Sequence, residues 1–533
     1  MLNLSGKEGF YYTMGKRKRN SKNKTGSNKK VQNFNLKFIK MVNIPVYGYI
    51  KLTHLELKLI NTRVYQRLRY IYQLGLAFLV YPGACHSRFE HGLGTMQVAY
   101  LLGRELNFDD LTLQRLRICA LLHDIGHFAL SHCLEGTIYL KDDIANEGDL
   151  NTNPQEPLGL TPINHELLGQ QIIEESEIAN ILDEFQCTLI NDYGIKEPNF
   201  SPMDISSVIF QKDPLEENIL LHQIISSDLD ADRLDFCRRD SYHAGSDYGE
   251  FDFDRIIQSV TLGKYTDQNG KTNERVCFSL KAIDTIEKYL VGRYIMYKSL
   301  YKHHSVKGFE EMARAFFINL QSEYDSTSDK IPRPLAPKTL EGAIKQFGSL
   351  DYFLFNFTDH WLFEQLRKHS LVYDTKKLNR DTPSYTEELA YRIIHRKPLK
   401  VLFEVNPFEE SESFDLPTFI DDFKKLKEEI SNFEGNQWVF FLEDRKISVV
   451  DTSKPEKPGD YTLILIKKNP KDNECSKLID IQSTFLSLLT PAKQRYYRIY
   501  VNEDKISDKT IVESIIKKIE HFKDKYKDWN SKF

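Results

Sequence analysis

The chain has 533 residues, 41% of them hydrophobic and 28% charged, with a formal net charge of −4. That length can bury a large core across roughly two to four domains, and the near-neutral balance excludes a protein that coats nucleic acid over its whole surface. No apolar run approaches the ~18 residues of a membrane span, and no hydrophobic stretch follows the basic N-terminus as it would in a secretory signal.

Residues 1–40 carry eleven Lys and Arg against a single acid, Glu8. With almost no apolar periodicity, they read as a basic disordered tail. Two readings stay open for it: a solvated extension upstream of a start at Met41, or a basic arm that finds nucleic acid or serves as a nuclear address. The seven cysteines, at 85, 119, 133, 187, 237, 277 and 475, are odd in number, scattered and free of any CxxC pair. They predict reduced thiols and a cytoplasmic protein with no membrane partner.

From Pro45 to about Ala315 the apolar residues recur at helical spacing. Leu113, Leu116, Ala120 and Leu121 mark one face of a helix that leads into His123-Asp124. His123 and His127 are four apart and share a face if that helix is continuous. Gly92, Gly94 and Gly126 stand where close backbone approach is useful. Residues 136–163 are polar and turn-rich, a long inserted loop. Asp228, Asp232, Asp235 and Asp240 fall in one helical stretch, with Asp232, Phe236 and Asp240 on a single stripe. Such acids usually form solvated pairs with neighbours like Arg233, Arg238 and Arg239.

Long helical patterns follow over Leu280–Tyr301 and Val306–Leu320. A Pro- and Ser-rich stretch beginning at Ser326 suggests a boundary. Helical signals continue to about Arg396. Strand-like runs then begin at Trp438, Tyr461 and Tyr496, and the lysine-rich 508–527 is helical again. The expected architecture is mainly α: a helical catalytic core over 41–325, then an α+β accessory and oligomerisation region over 326–533.

The chemistry-bearing residues concentrate in the core. His86, His91, His123, His127, His132 and His165 are six of the chain's 15 histidines. One histidine in an apolar setting is usually a satisfied core group; six within 80 residues point to a site. Histidines, a His-Asp pair and a distant aspartate suit one divalent ion, such as iron, manganese, nickel, zinc or magnesium, with coordination positions left open for water and substrate.

These residues resemble the HD superfamily of metal-dependent phosphohydrolases, whose signature H…HD…D is matched by His91, His123-Asp124 and Asp232. The blocks Val46–Ile50, Tyr65–Gly75, Tyr81–Gly94 and His123–His132 are similar, nearly in register, to its deoxynucleoside triphosphate triphosphohydrolase branch, both the SAM-and-HD-domain form and bacterial relatives. The resemblance covers about residues 40–325, with no SAM domain expected ahead of it.

It implies that His91, His123, Asp124 and Asp232 bind the metal, and that a dNTP is cleaved to deoxynucleoside and inorganic triphosphate. Arg88 would contact the α-phosphate, while Arg233 and Arg293 would hold the outer phosphates, with magnesium accompanying them. His127 and His132 would move protons, supported by Glu135, and His165 would face the phosphates. Gln73 and Asp240 would bind the 3′-hydroxyl, Tyr301 would crowd the 2′ position, and Leu74 and Phe236 would line the substrate pocket. A nucleotide activator would meet Lys40, Asn43, Asn61, Gln66 and Arg69, and the chain would form a homodimer or homotetramer.

Three departures from the branch stand out. Glu135 replaces an aspartate. Phe236 replaces a tyrosine and loses one hydrogen bond, worth about 1 kcal/mol. Asn61 replaces the aspartate that reads guanine, which argues against a guanine nucleotide as activator. The HD core does not fix the substrate, so a nucleotidase or 3′ nuclease on the same metal site is an alternative. A non-enzymatic nucleic-acid-binding protein is another.

Overall fold

The computed structural model describes residues 34–135, 140–142, 160–162, 164–210, 218–267, 270–325, 340–407, 414–433, 436–444, 447–448, 464–468, 473–481, 493–502 and 509–527. The chain opens with a hairpin of β1 (Phe38–Ile44) and β2 (Gly48–Thr53), paired antiparallel with Ile44 opposite Gly48. Thr53 then caps α1 (His54–Ile60) in a reciprocal capping box with Glu56. The short α2 (Arg63–Gln66) and two tight turns carry the chain to Leu79.

Next come α3 (Arg88–Glu105) and α4 (Asp110–Leu122), the latter begun by Asp109, which accepts from the backbone N–H groups of Leu111 and Thr112. These two helices pack side by side, and α3 also packs on the later helix Ala231–Ala244. The small strands β3 (Leu140–Asp142) and β4 (Leu160–Pro162) pair antiparallel. They precede α5 (His165–Glu175), α6 (Glu177–Tyr193), α7 (Pro202–Phe210), α8 (Ile219–Ile225) and α9 (Ala231–Ala244).

After α10 (Phe253–Ser259), the antiparallel pair β5 (Val260–Thr266) and β6 (Thr272–Ser279) leads into α11 (Ile283–Met296), a π-turn over Tyr297–Tyr301 and α12 (His304–Asp325). Beyond residue 325 come α13 (Leu340–Phe347), α14 (Leu350–Asn356), α15 (Asp359–Leu378) and α16 (Tyr385–Ile394).

The C-terminal elements are β7 (Lys400–Val405), α17 (Leu416–Ser431), β8 (Val439–Glu443), β9 (Ile447–Ser448), β10 (Leu465–Lys467), β11 (Ser476–Lys477), β12 (Lys493–Gln494), β13 (Tyr497–Val501) and α18 (Lys509–Lys525). One sheet has the order β7-β13-β8, and another joins β10 and β11 to β6 and β5. The architecture is mainly α with an α+β C-terminal region, as the sequence predicts. A single buried cluster includes Leu93, Leu121, Leu234, Phe316, Leu362 and Phe403, so core packing runs through both parts.

Four local expectations change. The fold starts before Met41: β1 opens at Phe38, and Phe34 packs edge-on against Phe185 and Tyr193, because these rings bury apolar area that the lysine count obscures. Cys277 and Cys475 form a disulfide instead of remaining reduced. The alignment of β10 and β11 beside β6 brings them together, a pairing that a sequence separation of 198 hides. The helix before His123 stops at Leu122, so His127 reaches the site from a turn. Finally, the 280–301 helix begins only at Ile283 and closes in the π-turn. The boundary expected from Ser326, most of the polar insertion and residues 1–33 lie outside the described residues. Among the described residues, no helix is long and apolar enough to cross a membrane.

Candidate metal centre and active site

Three helix ends deliver the four proposed metal ligands to one point. His91 lies in the first turn of α3, His123 caps the end of α4, with Asp124 beside it, and Asp232 is the second residue of α9. Asp230 fixes the start of α9 by accepting from the Arg233 backbone N–H at 2.6 Å. His91 Nε2 is 3.0 Å from Asp232 Oδ1 and 3.4 Å from Asp124 Oδ2. His123 Nε2 is 3.4 Å from Asp232 Oδ1 and 3.5 Å from Asp124 Oδ1.

The opposite ring nitrogens settle which imidazole atoms face the carboxylates. His123 Nδ1 is 2.8 Å from the Ala120 carbonyl, which can only accept, so Nδ1 carries the proton. His91 Nδ1 is 2.8 Å from Asp235 Oδ2. Both Nε2 atoms are buried without a hydrogen-bond partner and point into the same space. Two orphaned imidazole lone pairs beside two carboxylates fit a divalent cation of the first-row or magnesium type. The structure thus brings His91, His123, Asp124 and Asp232 together.

Behind His91 lies a buried support, where the sequence pattern predicts solvated charge pairs. Asp235 is fully buried, and Arg239 donates to both its oxygens at 2.9 Å. Their spacing of one helical turn was visible in the sequence, but their inward orientation was not. Gly94 makes room for them, since a Cβ there would lie 2.0 Å from Asp235 Oδ1. Such partners fix ring orientation and raise ligand basicity.

A second cluster adjoins the first. His127 Nε2 is 3.3 Å from Asp124 Oδ1, and its ring stacks on His165 with centroids 4.2 Å apart. Burial, with the Arg88 guanidinium nearby, holds His127 well below the ordinary imidazole range. Glu135 joins the other two histidines: its Oε2 is 2.8 Å from His132 Nδ1, and its Oε1 is 2.6 Å from His165 Nδ1. Burial alone would raise Glu135, but these hydrogen bonds outweigh it and hold the carboxyl far below the usual range. Glu135 reaches both rings despite its extra methylene. Gly126 permits the close packing, because a Cβ there would meet the His165 carbonyl oxygen at 2.0 Å.

Arg88 connects the two clusters, donating through Nη1 to Asp124 and through Nε to Ser131 Oγ at 2.9 Å. Across α9, Tyr301 donates to Asp240 Oδ2 at 2.6 Å, and His86 Nε2 is 2.8 Å from Asp240 Oδ1. In the sequence, the bracing histidine, His86, stands out only as one of a group. Phe236 packs edge-on against Tyr301. The Gln73 backbone N–H donates to the His86 carbonyl, while its side-chain oxygen is buried without a partner. Leu74 packs on the core beside it. Arg233 pairs with Asp230, and Arg293 donates to the Asp228 carbonyl at 2.9 Å.

The five residues assigned to an activator lie at the N-terminal hairpin and the segment after it. Lys40 and Asn43 are exposed on β1, and Asn61 is exposed at the end of α1. Gln66 donates to the Ile60 carbonyl at 2.7 Å and accepts from Arg69, whose guanidinium lies 3.5 Å over the Phe89 ring.

Residues 88–231 match the family model described as HD domain. The chain is 28% identical over 484 residues to the uncharacterized protein MJ1154 of Methanocaldococcus jannaschii, covering 90% of this chain and 82% of that one. It is 26% identical over 486 residues to deoxynucleoside triphosphate triphosphohydrolase SAMHD1 of Gallus gallus, covering 87% of this chain and 72% of that one. A solved phosphohydrolase from Bacteroides thetaiotaomicron shares the fold with a TM-score of 0.61 at 22% identity, over 87% of this chain and 99% of that one. The chain spans about half the length of several other curated relatives that it matches.

Proposed function

We propose that this chain, a hydrolase of the HD phosphohydrolase superfamily through its residues 88–231, hydrolyses deoxynucleoside triphosphates at the α-phosphorus. One observation carries the reading: His91, His123, Asp124 and Asp232 converge beside Arg88 and the His127–His132–His165 cluster. A bound divalent ion would supply Lewis-acid polarisation of a phosphoryl oxygen. In the hydrolysis, a water oxygen bonds to the α-phosphorus, the bond from that phosphorus to the 5′ oxygen breaks, and a proton reaches the departing oxygen. The products are deoxynucleoside and inorganic triphosphate.

The chain's own residues divide the remaining work. His127, kept neutral by burial and the nearby Arg88 guanidinium, takes the proton of the attacking water. His132, oriented by Glu135, is placed to protonate the leaving oxygen. Arg88 neutralises the α-phosphate. Arg233 and Arg293 receive the outer phosphates by exchanging part of their present pairing with Asp230 and the Asp228 carbonyl. Asp240 accepts from the 3′-hydroxyl, and Tyr301, held by Asp240, occupies the space a 2′-hydroxyl needs.

Magnesium would accompany the nucleotide. The likeness to the Gallus gallus enzyme supports this substrate class and a homo-oligomer with a nucleotide activator near Lys40, Asn43, Asn61, Gln66 and Arg69. The test is a panel of the four dNTPs and four NTPs with the Mn²⁺-loaded protein, with chelator controls and separation of products. Triphosphate release from dNTPs alone is expected. Nucleoside monophosphate with pyrophosphate, equal use of NTPs, or no turnover would contradict the reading.

A further inference from the structure

The turn that carries His132 is held in an unusual conformation. Leu130 and Ser131 have φ values of +57° and +52°, in the left-handed region that residues with a Cβ adopt at a cost. Local chemistry does not demand it, since neither residue is Gly, Asn or Asp. Something outside the turn must hold it there.

The holding group comes from 229 positions downstream. Asp359, the first residue of α15, is fully buried, and its Oδ1 accepts from the Leu130 backbone N–H at 2.5 Å. Its Oδ2 accepts from the Tyr72 backbone N–H at 2.8 Å. Ser131 Oγ donates to the Tyr72 carbonyl at 2.7 Å and accepts from Arg88. One carboxylate therefore joins the segment leading into Gln73 and Leu74 to the turn leading into His132. Rings brace the same junction: Phe357 meets Phe128, Phe363 meets Phe78, and His360 meets Tyr70.

We infer that Asp359 is a positioning residue for the hydrolytic site, setting His132 and the Gln73 segment relative to Arg88 and the metal ligands. The accessory region is then part of the catalytic apparatus. Asparagine at 359 would keep the shape but offer one acceptor oxygen where two N–H groups need one each, leaving a buried donor unpaired.

The inference rests on the hydrolytic reading for its kinetic consequence but not for its structural one, so the test has two arms. In Mn²⁺-loaded, full-length Asp359→Asn at pH 8, kcat for dNTP hydrolysis should fall at least tenfold, with KM within threefold and ion content per chain unchanged. Hydrogen exchange followed by mass spectrometry should accelerate at least tenfold in peptides covering 68–75 and 126–135, and not in α16. Exchange that is unchanged, or raised alike in every peptide, overturns the inference. So does a kcat within twofold of a turning-over parent. If the parent turns over no dNTP, the functional reading fails while the exchange arm still decides the role of Asp359.

Discussion

Replacing Asp235 with asparagine separates support of the metal centre from support of the fold. Asp235 does two jobs: it accepts from His91 Nδ1 at 2.8 Å and forms a two-point pair with Arg239, all fully buried. Oδ2 serves both His91 and Arg239 Nε, whereas Oδ1 serves Arg239 Nη2 alone, and an asparagine oxygen can fill only one of these places. In the Oδ1 place, it leaves the amide N–H₂ facing His91, which forces the tautomer with Nε2 protonated and repels a cation. In the Oδ2 place, it leaves the amide N–H₂ opposing Arg239 Nη2. Loss of a ligand's outer partner typically costs 10–100-fold in metal affinity, or about 1.4–2.7 kcal/mol. Leaving a buried charge unpaired costs about 3–5 kcal/mol of fold stability.

Competition with a chromophoric chelator measures the first effect and urea unfolding of the metal-free chain the second. Adding Arg239→Met should recover much of the stability and, by freeing the asparagine oxygen for His91, part of the affinity, a non-additivity that the shared contact demands. Metal affinity within twofold of the parent in Asp235→Asn would refute the role assigned to the pair.

Gly126→Ala drives a methyl into the His165 carbonyl, so kcat should fall at least tenfold while ion content, read by elemental analysis, stays at the parent level. Tyr301→Phe removes the hydrogen bond to Asp240, costing about 1 kcal/mol, and in the substrate panel should raise NTP turnover relative to dNTP. The Asp359 carboxyl should also make stability depend on pH. Burial pushes it up to about 7 against the opposing pull of the Leu130 and Tyr72 N–H groups and Arg88. A folded value above the unfolded one means that the folded chain holds the proton more tightly. The associated stability is fully present below about pH 4 and is lost as pH rises through about 7, a change on the order of 2–4 kcal/mol. Urea melts at pH 5 and 8 should therefore differ less in Asp359→Asn than in the parent.

Much of this was legible in the sequence because the chemistry is local. His123-Asp124 sits at the end of an apolar helix pattern, and the stripe of Asp232, Phe236 and Asp240 follows directly from helical spacing. The buried supports were harder to read. Asp235 and Arg239 look the same in sequence whether they face water or His91; only the packing of α9 against α3 decides it. The Cys277–Cys475 bridge and the Asp359 clamp join positions too distant for any periodicity to connect. The helix ends at Leu122, so the shared face that a continuous helix would give His123 and His127 does not form. Beyond it, the turn at Leu130 is held by a carboxylate from α15, so a local pattern could not foresee its left-handed residues.

Hydrolysis of a dNTP in oxygen-18 water by the Mn²⁺-loaded chain, with products read by mass spectrometry, tests the central claim most directly. Attack at the α-phosphorus places one heavy oxygen in the inorganic triphosphate and none in the deoxynucleoside. Heavy oxygen in the deoxynucleoside, or phosphorus recovered as pyrophosphate and nucleoside monophosphate, would contradict the account.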